Sequence, residues 1–241
     1  MSVDILKDYV SKSNYIVFFG GAGVSTESGI PDFRSVDGLY NQKWKYPPEL
    51  MLSHSFFSNQ TSEFFNFYKN KLLHLNAKPN KAHLALAALE KCGKLKAVIT
   101  QNIDGLHQKA GSVNVLELHG SVWRNYCLNC AAFYEVKQIK NADGVPLCRC
   151  GGIIRPDIVL YEESLNNDLM MLALEHIASA DMLIIGGTSL GVYPAAGLLT
   201  AFSGESLVLI NKSVTHMDER ADLIIRDSIG YVLSALRFPN V

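Results

Sequence analysis

Along most of the chain, short uninterrupted apolar runs alternate with stretches of helical period. The runs are "YIVFF" (15–19), "KAVIT" (96–100), "VLEL" (115–118), "DMLIIGG" (181–187), "SLVLIN" (206–211) and "DLIIR" (222–226). Runs rich in Val, Ile and Leu, without polar alternation, predict strands of a parallel sheet covered on both faces. Between them "NKAHLALAALEKC" (80–92), "NDLMMLALEHIASA" (167–180) and "AAGLLTAF" (195–202) predict helices. The first is opened by Pro79 and Asn80 and stopped by Gly93, and Cys92 is expected in its apolar core. The alternation predicts an α/β fold with a doubly wound, Rossmann-like parallel sheet.

Two segments break the rhythm. Residues 36–78 are polar and aromatic, with "SHSFFSNQTSEFFNFYKNKLL" (53–73) predicted helical. Residues 121–156 hold four of the five cysteines and few apolar runs. Both read as insertions that together form a small lobe, which leaves 1–35, 79–120 and 157–241 as a discontinuous sheet domain. Composition agrees with a globular fold: of 241 residues, 48% are hydrophobic and 19% charged. The net charge of −1 disfavours a non-specific nucleic-acid binder, which needs a basic face. The opening "MSVDILKDYVSKSN" has mixed charge and no signal-length apolar core, and no apolar stretch has membrane-spanning length. A soluble, cytoplasmic monomer is expected.

The polar residues that follow the strand runs carry the candidate chemistry. In "VFFGGAGVSTESGIPDFR" the glycines Gly20, Gly21 and Gly23 let backbone N–H groups approach a phosphate at a helix start. The full dinucleotide fingerprint fails, however, because Thr26 stands at the third glycine position and no ribose-binding acid follows the next strand. The same stretch also suits a tight turn with no ligand. After "VIT" come Gln101, Asn102, Asp104 and His107, although Asp104 could equally cap the helix near Gly105. His119 follows "VLEL" and precedes Gly120, a place where an imidazole can act as a base. Gly186, Gly187, Thr188 and Ser189 add hydroxyls at another strand end, and Asn211 closes "LVLIN". In the small lobe Cys127-x-x-Cys130 and Cys148-x-Cys150 lie seventeen residues apart. Four sulfurs suit a closed, structural tetrahedral Zn²⁺ site with no open position for catalysis, and a disulfide or iron–sulfur cluster is the alternative use.

Taken in order, "GAGVSTESGIPDFR", "TQNIDGLH", "ELHG", the four cysteines, "GTSLGVYPAA" and the Asn211 segment resemble the sirtuins, NAD-dependent protein lysine deacylases, in their compact bacterial form. The resemblance spans nearly the whole chain. It implies NAD consumed as a co-substrate in an inverted orientation, so the third glycine and the ribose acid are not required. It places Ala22 and Thr26 at the pyrophosphate, and Phe33 and Arg34 on the loop over the nicotinamide ribose. Gln101, Asn102, Ile103 and Asp104 fall in the nicotinamide pocket. Thr188 and Ser189 fall at phosphate and ribose, and Asn211, Lys212, Ser228 and Ile229 at the adenosine end. His119 and Asn102 are the implied catalytic pair, His119 as general base toward an alkylamidate intermediate, with deacylated lysine and 2′-O-acyl-ADP-ribose as products. An acyl-lysine peptide is implied to add as a strand between 159–163 and 191–193.

The chain departs from the family pattern at Gly20, often threonine, and at "LYEE", where Phe-Gly-Glu is common and Glu162 takes the usual glycine place. Phe65 and Tyr68 align with a Tyr-x-x-Arg pair that grips succinyl groups in some members. Deacetylation over desuccinylation is therefore expected. Two other functions are open to the same residues: ADP-ribosyl transfer on this scaffold, and a zinc-ribbon binding module using Arg124, Lys137, Lys140 and Arg149.

Overall fold

The computed structural model describes residues 2–35, 38–41 and 45–236. Residues 36–37 and 42–44 of the expected helical insertion, and Met1 and 237–241 of the expected sheet domain, lie outside the described residues. The elements run α1 (Ser2–Lys12), β1 (Ile16–Gly20), α2 (Pro48–Met51), α3 (His54–Asn59), α4 (Thr61–Lys71), α5 (Lys81–Lys91), β2 (Leu95–Thr100), α6 (Leu106–Ala110) and β3 (Val115–Glu117). They continue as β4 (Gly120–Cys127), β5 (Phe133–Glu135), α7 (Val136–Asn141), β6 (Ile154–Ile158), α8 (Asn167–Ser179), β7 (Met182–Gly186), β8 (Ser206–Ile210), β9 (Leu223–Ile225) and α9 (Ile229–Ser234).

Six strands form a parallel sheet in the order β3-β2-β1-β7-β8-β9. Strand order reverses between β1 and β7, which opens a crevice at their carboxyl ends. The register brings those ends level, with Gly20 beside both Thr100 and Gly186, and Gly186 beside Ile210. Every residue of β1 and β7 is buried, as the uninterrupted apolar runs predict. One face packs Phe18, Val98, Ile184 and Val208 against Leu6, Leu86 and Val232 of α1, α5 and α9. The other packs Val17, Phe19, Ile99, Leu183 and Leu209 against Ala173 and Ile177 of α8 and against Leu198 and Leu199.

A second, antiparallel sheet in the order β5-β4-β6 stands beyond the end of β3. Its inner side joins Phe56, Phe57, Phe64, Phe65 and Tyr68 of the helical insertion in one aromatic cluster with Ile139, Ile154 and Ile158. Phe33 and Ile103 pack on the edge of that cluster.

Four local expectations change. The helix expected over 53–73 breaks at Gln60, because Ser53 caps α3 through Phe56 N–H and a new helix begins at Thr61. Residues 195–201 form a 3₁₀ helix instead of an α-helix. After Gly21 the chain makes two short 3₁₀ turns, Ala22–Val24 and Thr26–Ser28, so no long helix dipole aims at the glycine loop. Cys92 is exposed rather than core. The helix ends at Lys91, and residue 92 turns off the face that buries Ala82, Ala85, Leu86 and Leu89.

Candidate functional site

The crevice is assembled from the loops that leave β1, β2, β3 and β7. The first and last of these interlock. Gly23 N–H donates to the Gly187 carbonyl at 2.8 Å, and a Cβ on Gly23 would stand 2.8 Å from Gly187 Cα. A side chain at that crossing would push the two loops apart. From there the contacts run across the strand ends. Gln101 Nε2 donates to Thr188 Oγ1 at 3.2 Å, and Arg34 Nη1 to Ser189 Oγ at 3.1 Å.

Asp104 is held by both oxygens. Ser25 Oγ donates to Oδ2 at 2.6 Å and Leu106 N–H to Oδ1 at 2.9 Å, so the carboxylate does cap α6 while facing the first loop. Asn102 is buried, its Nδ2 donating to Ser25 Oγ at 3.1 Å and its N–H to Thr100 Oγ1 at 3.0 Å. A carboxylate has about four acceptor positions, so Asp104 keeps capacity for an amide N–H.

His119 is fixed at the end of β3. Its Nδ1 lies 3.0 Å from the Gln101 carbonyl, which can only accept, so Nδ1 carries the proton and Nε2 the lone pair. Nε2 has no partner among the described residues. Burial lowers the pKa from the usual histidine value, against the Gln101 contact, which raises it. The imidazole is therefore neutral near pH 7 with a basic nitrogen toward the crevice.

The far end is organised around β8 and α9. Asn211 is buried at the end of β8, its Nδ2 donating to the Ser213 carbonyl at 2.9 Å, while Lys212 is exposed. Ser228 is the N-cap of α9, Ile229 is buried as its first residue, and Gly230 N–H donates to Glu27 Oε1 at 2.8 Å. That bond ties the turn beside Thr26 to the start of α9. The donor set fits a dinucleotide: amides and a carboxylate for a carboxamide, hydroxyls for ribose and phosphate.

The cysteine site lies away from this crevice. The four Sγ atoms of Cys127, Cys130, Cys148 and Cys150 all fall within 4.8 Å of one another, with Cys127 and Cys150 3.4 Å apart and Cys130 and Cys148 3.6 Å apart. All four cysteines are free rather than bridged. Backbone N–H of Cys150 and the Tyr134 hydroxyl pull the Cys148 thiol down to about 6. Against the Gly152 N–H, the three neighbouring sulfurs push Cys150 up to about 12, so all four ionise together only around a cation. Four thiolates around one point fit a structural zinc ion and leave it no open position.

Residues 21–194 match the model of the Sir2 family. The chain is a member of the Sir2 family. It is 62% identical over 235 residues to an NAD-dependent protein deacetylase of Clostridium perfringens, covering 96% of each chain. It superposes with a TM-score of 0.90, at 40% identity and 98% and 97% coverage, on a solved Sir2 His-to-Ala variant described with a deacetylated p53 peptide and 3′-O-acetyl-ADP-ribose. A solved Sir2–p53 peptide–NAD⁺ complex matches with a TM-score of 0.85, at 41% identity and 97% and 96% coverage.

Within this Sir2-family chain, several residues build the site in ways that the sequence motifs do not state. Ser25 bridges Asp104 and Asn102. Asn80, legible as a helix cap, also reaches back to the Val24 carbonyl at 2.8 Å and Ser28 Oγ at 3.0 Å. Arg226 gathers the carbonyls of Asn211 and Ser213 and the carboxylate of Asp218. Glu162 adopts φ +75°, a left-handed conformation that explains the usual glycine, and its carboxylate caps α3 through Ser55 N–H at 2.8 Å and Ser55 Oγ at 2.9 Å. The backbone N–H and C=O of Glu162 have no partner among the described residues. His83 and His107 form a buried, tilted pair with ring centroids 4.7 Å apart.

Proposed function

We propose that this chain is an NAD-dependent protein lysine deacetylase. The observation that carries the reading is His119 Nδ1 bonded to the Gln101 carbonyl, which leaves Nε2 as the basic nitrogen, at the strand end that also carries the linked Asn102, Ser25 and Asp104. Its relative's name as an NAD-dependent protein deacetylase supports the same assignment. NAD, consumed as co-substrate, would supply a departing nicotinamide and an ADP-ribose acceptor for the acyl group.

Residues of the chain divide the remaining work. Asp104, held by Ser25 and Leu106, accepts the carboxamide N–H, while Asn102 and Ile103 shape the pocket and Gln101 orients it. Ala22 and Thr26 face the pyrophosphate, and Thr188 and Ser189 the phosphate and ribose. Asn211, Lys212, Ser228 and Ile229 form the adenosine end. Phe33 excludes water from the sugar and Arg34 steadies the turn that carries it. His119 Nε2 takes the proton from a ribose hydroxyl, which makes that oxygen a nucleophile toward the acyl carbon.

The acyl-lysine peptide adds as a strand between 159–163 and 191–193, where the unpaired backbone of Glu162 offers a donor and an acceptor. Residues 1–35, 79–120 and 157–241 form the NAD domain, and 36–78 with 121–156 the small lobe. The reading carries a cytoplasmic, monomeric enzyme with it; no described helix is long and apolar enough to cross a membrane.

ADP-ribosyl transfer is the competing chemistry. An acetyl-lysine peptide incubated with NAD and the protein should lose one acetyl mass as nicotinamide is released. A target that gains an ADP-ribosyl mass and keeps its acetyl group would replace the deacetylase reading. A zinc-ribbon docking role is poorly supported, because Arg124 is paired with Glu117 at 2.6 Å and Asp157 at 2.7 Å, and Lys140 bonds the Lys69 carbonyl.

A further inference from the structure

Tyr40 and Tyr161 meet hydroxyl to hydroxyl at 2.7 Å, which joins the turn that follows Phe33 and Arg34 to the 159–163 segment. Tyr161 lies in the peptide-adding segment. Its backbone is fixed to the helical insertion, the N–H donating to the Leu52 carbonyl and the carbonyl accepting from His54 N–H, both at 3.0 Å. Tyr40 lies on the turn that presents Phe33 and Arg34. Its N–H donates to the Phe33 carbonyl at 2.9 Å, its ring meets Phe33 edge-on at 5.6 Å, and the Arg34 guanidinium stands 5.6 Å over it. Arg34 continues the chain of contacts to Ser189. Asp32 Oδ1 stiffens the same turn by accepting from the N–H groups of Arg34 at 3.1 Å and Ser35 at 2.8 Å.

We propose that the Tyr40–Tyr161 hydroxyl pair is a positioning contact that couples the two substrates, so that a bound dinucleotide raises affinity for acyl-lysine peptide and the reverse; the proposal rests on the deacylase reading above. A ligand held by Phe33, Arg34 and Ser189 restrains Tyr40. A peptide paired with the Glu162 backbone restrains Tyr161. Either ligand thereby orders one end of the bond, and the second has less left to order. The coupling is reciprocal by thermodynamic necessity. A single hydrogen bond is worth roughly 2- to 10-fold in an equilibrium constant, which sets the size of the effect. Both phenols matter only as a pair, since neither oxygen has another partner among the described residues.

The test is titration of an acetyl-lysine peptide against the full chain, with and without saturating ADP-ribose, for wild type, Tyr40→Phe, Tyr161→Phe and the double variant. Each variant keeps its ring and loses one oxygen, and thermal melting verifies that all four proteins fold. The quantity compared is the ratio of peptide Kd without ADP-ribose to that with it. The wild-type ratio should exceed 1, each single variant should lower it roughly 2- to 10-fold, and the double variant should lower it no further. An unchanged ratio in both single variants overturns the contact, as do single losses that sum in the double variant. A wild-type ratio of 1 with both ligands binding overturns the coupling and leaves the deacylase reading intact. A wild type that binds neither ligand overturns that reading and this contact with it.

Discussion

The parallel sheet and the small lobe flank one crevice and hold their shape by different means. β1 and β7 are buried throughout, and each sheet face has its own apolar cluster, so loops at the strand ends can be polar without loosening the frame. The antiparallel sheet has three strands, and its edge strand β5 is three residues long and mostly exposed, so it depends on what packs against its inner face. Its support is an aromatic cluster on one side and four clustered thiols at the far end. Burial holds the parallel sheet, and the cysteine cluster is placed to hold the small sheet through a metal. Damage to the two should therefore look different.

The largest effect tests the metal. Removal of zinc by a chelator, or Cys148→Ser, should unfold the small lobe, because apparent zinc-binding free energies of about 10–16 kcal/mol are folding energy for such modules. Hydrogen exchange should show β4, β5 and β6 exposed while β1 and β7 stay protected. Loss of protection in both sheets together would show that the two sheets share one source of stability.

The next effect tests the lining of the small lobe. Phe65 and Tyr68 are fully buried, Lys69 is spent on the carbonyls of Ala142 and Gly144, and Arg155 on Glu163. With no arginine at the Phe65 or Tyr68 position, burying an acyl carboxylate costs several kcal/mol. Acetyl-peptide turnover should exceed succinyl-peptide turnover by on the order of 100-fold. Equal rates would show a cation within reach of the acyl group.

A smaller effect sharpens the account of the sheet side. Burial pushes His107 down to about 3 and His83 down to about 4 from the ordinary 6.5. Between those values and 6.5 the unfolded chain binds protons that the folded chain does not, so stability falls as pH falls from 6.5 toward 4. The slope is about 1.4 kcal/mol per pH unit for each such histidine. Urea unfolding across that range should show it, and His107→Phe should flatten it. A slope equal to the wild type's would mean that His107 protonates in the folded state.

The same contrast explains what the sequence disclosed. Each sheet strand lies within one residue of its apolar run, since burial on both faces leaves the run unbroken. Asn80, Asp104 and His119 were visible because strand ends and caps demand polar residues there. The strands of the small lobe were invisible, as β4 mixes buried and exposed positions and owes its place to β6 and the cysteines. The roles of Ser25 and of the His83–His107 pair were also unreadable, because each works through a partner more than twenty residues away. Glu162 showed itself only as a departure from a family pattern. Its left-handed backbone and its cap on α3 supply the physical reason.

The proposed role of His119 as the base of an NAD-consuming deacetylase has a direct test. Wild type and His119→Ala should be incubated with NAD and an acetyl-lysine peptide, with nicotinamide and acetyl-ADP-ribose both followed by mass. The wild type should form the two products together, and the variant should lose about 10²- to 10⁴-fold in acetyl-ADP-ribose formation. The wild-type rate should hold just below pH 6.5, because burial lowers the pKa of His119 from the ordinary histidine value. Acetyl-ADP-ribose formed by His119→Ala at the wild-type rate would contradict that role.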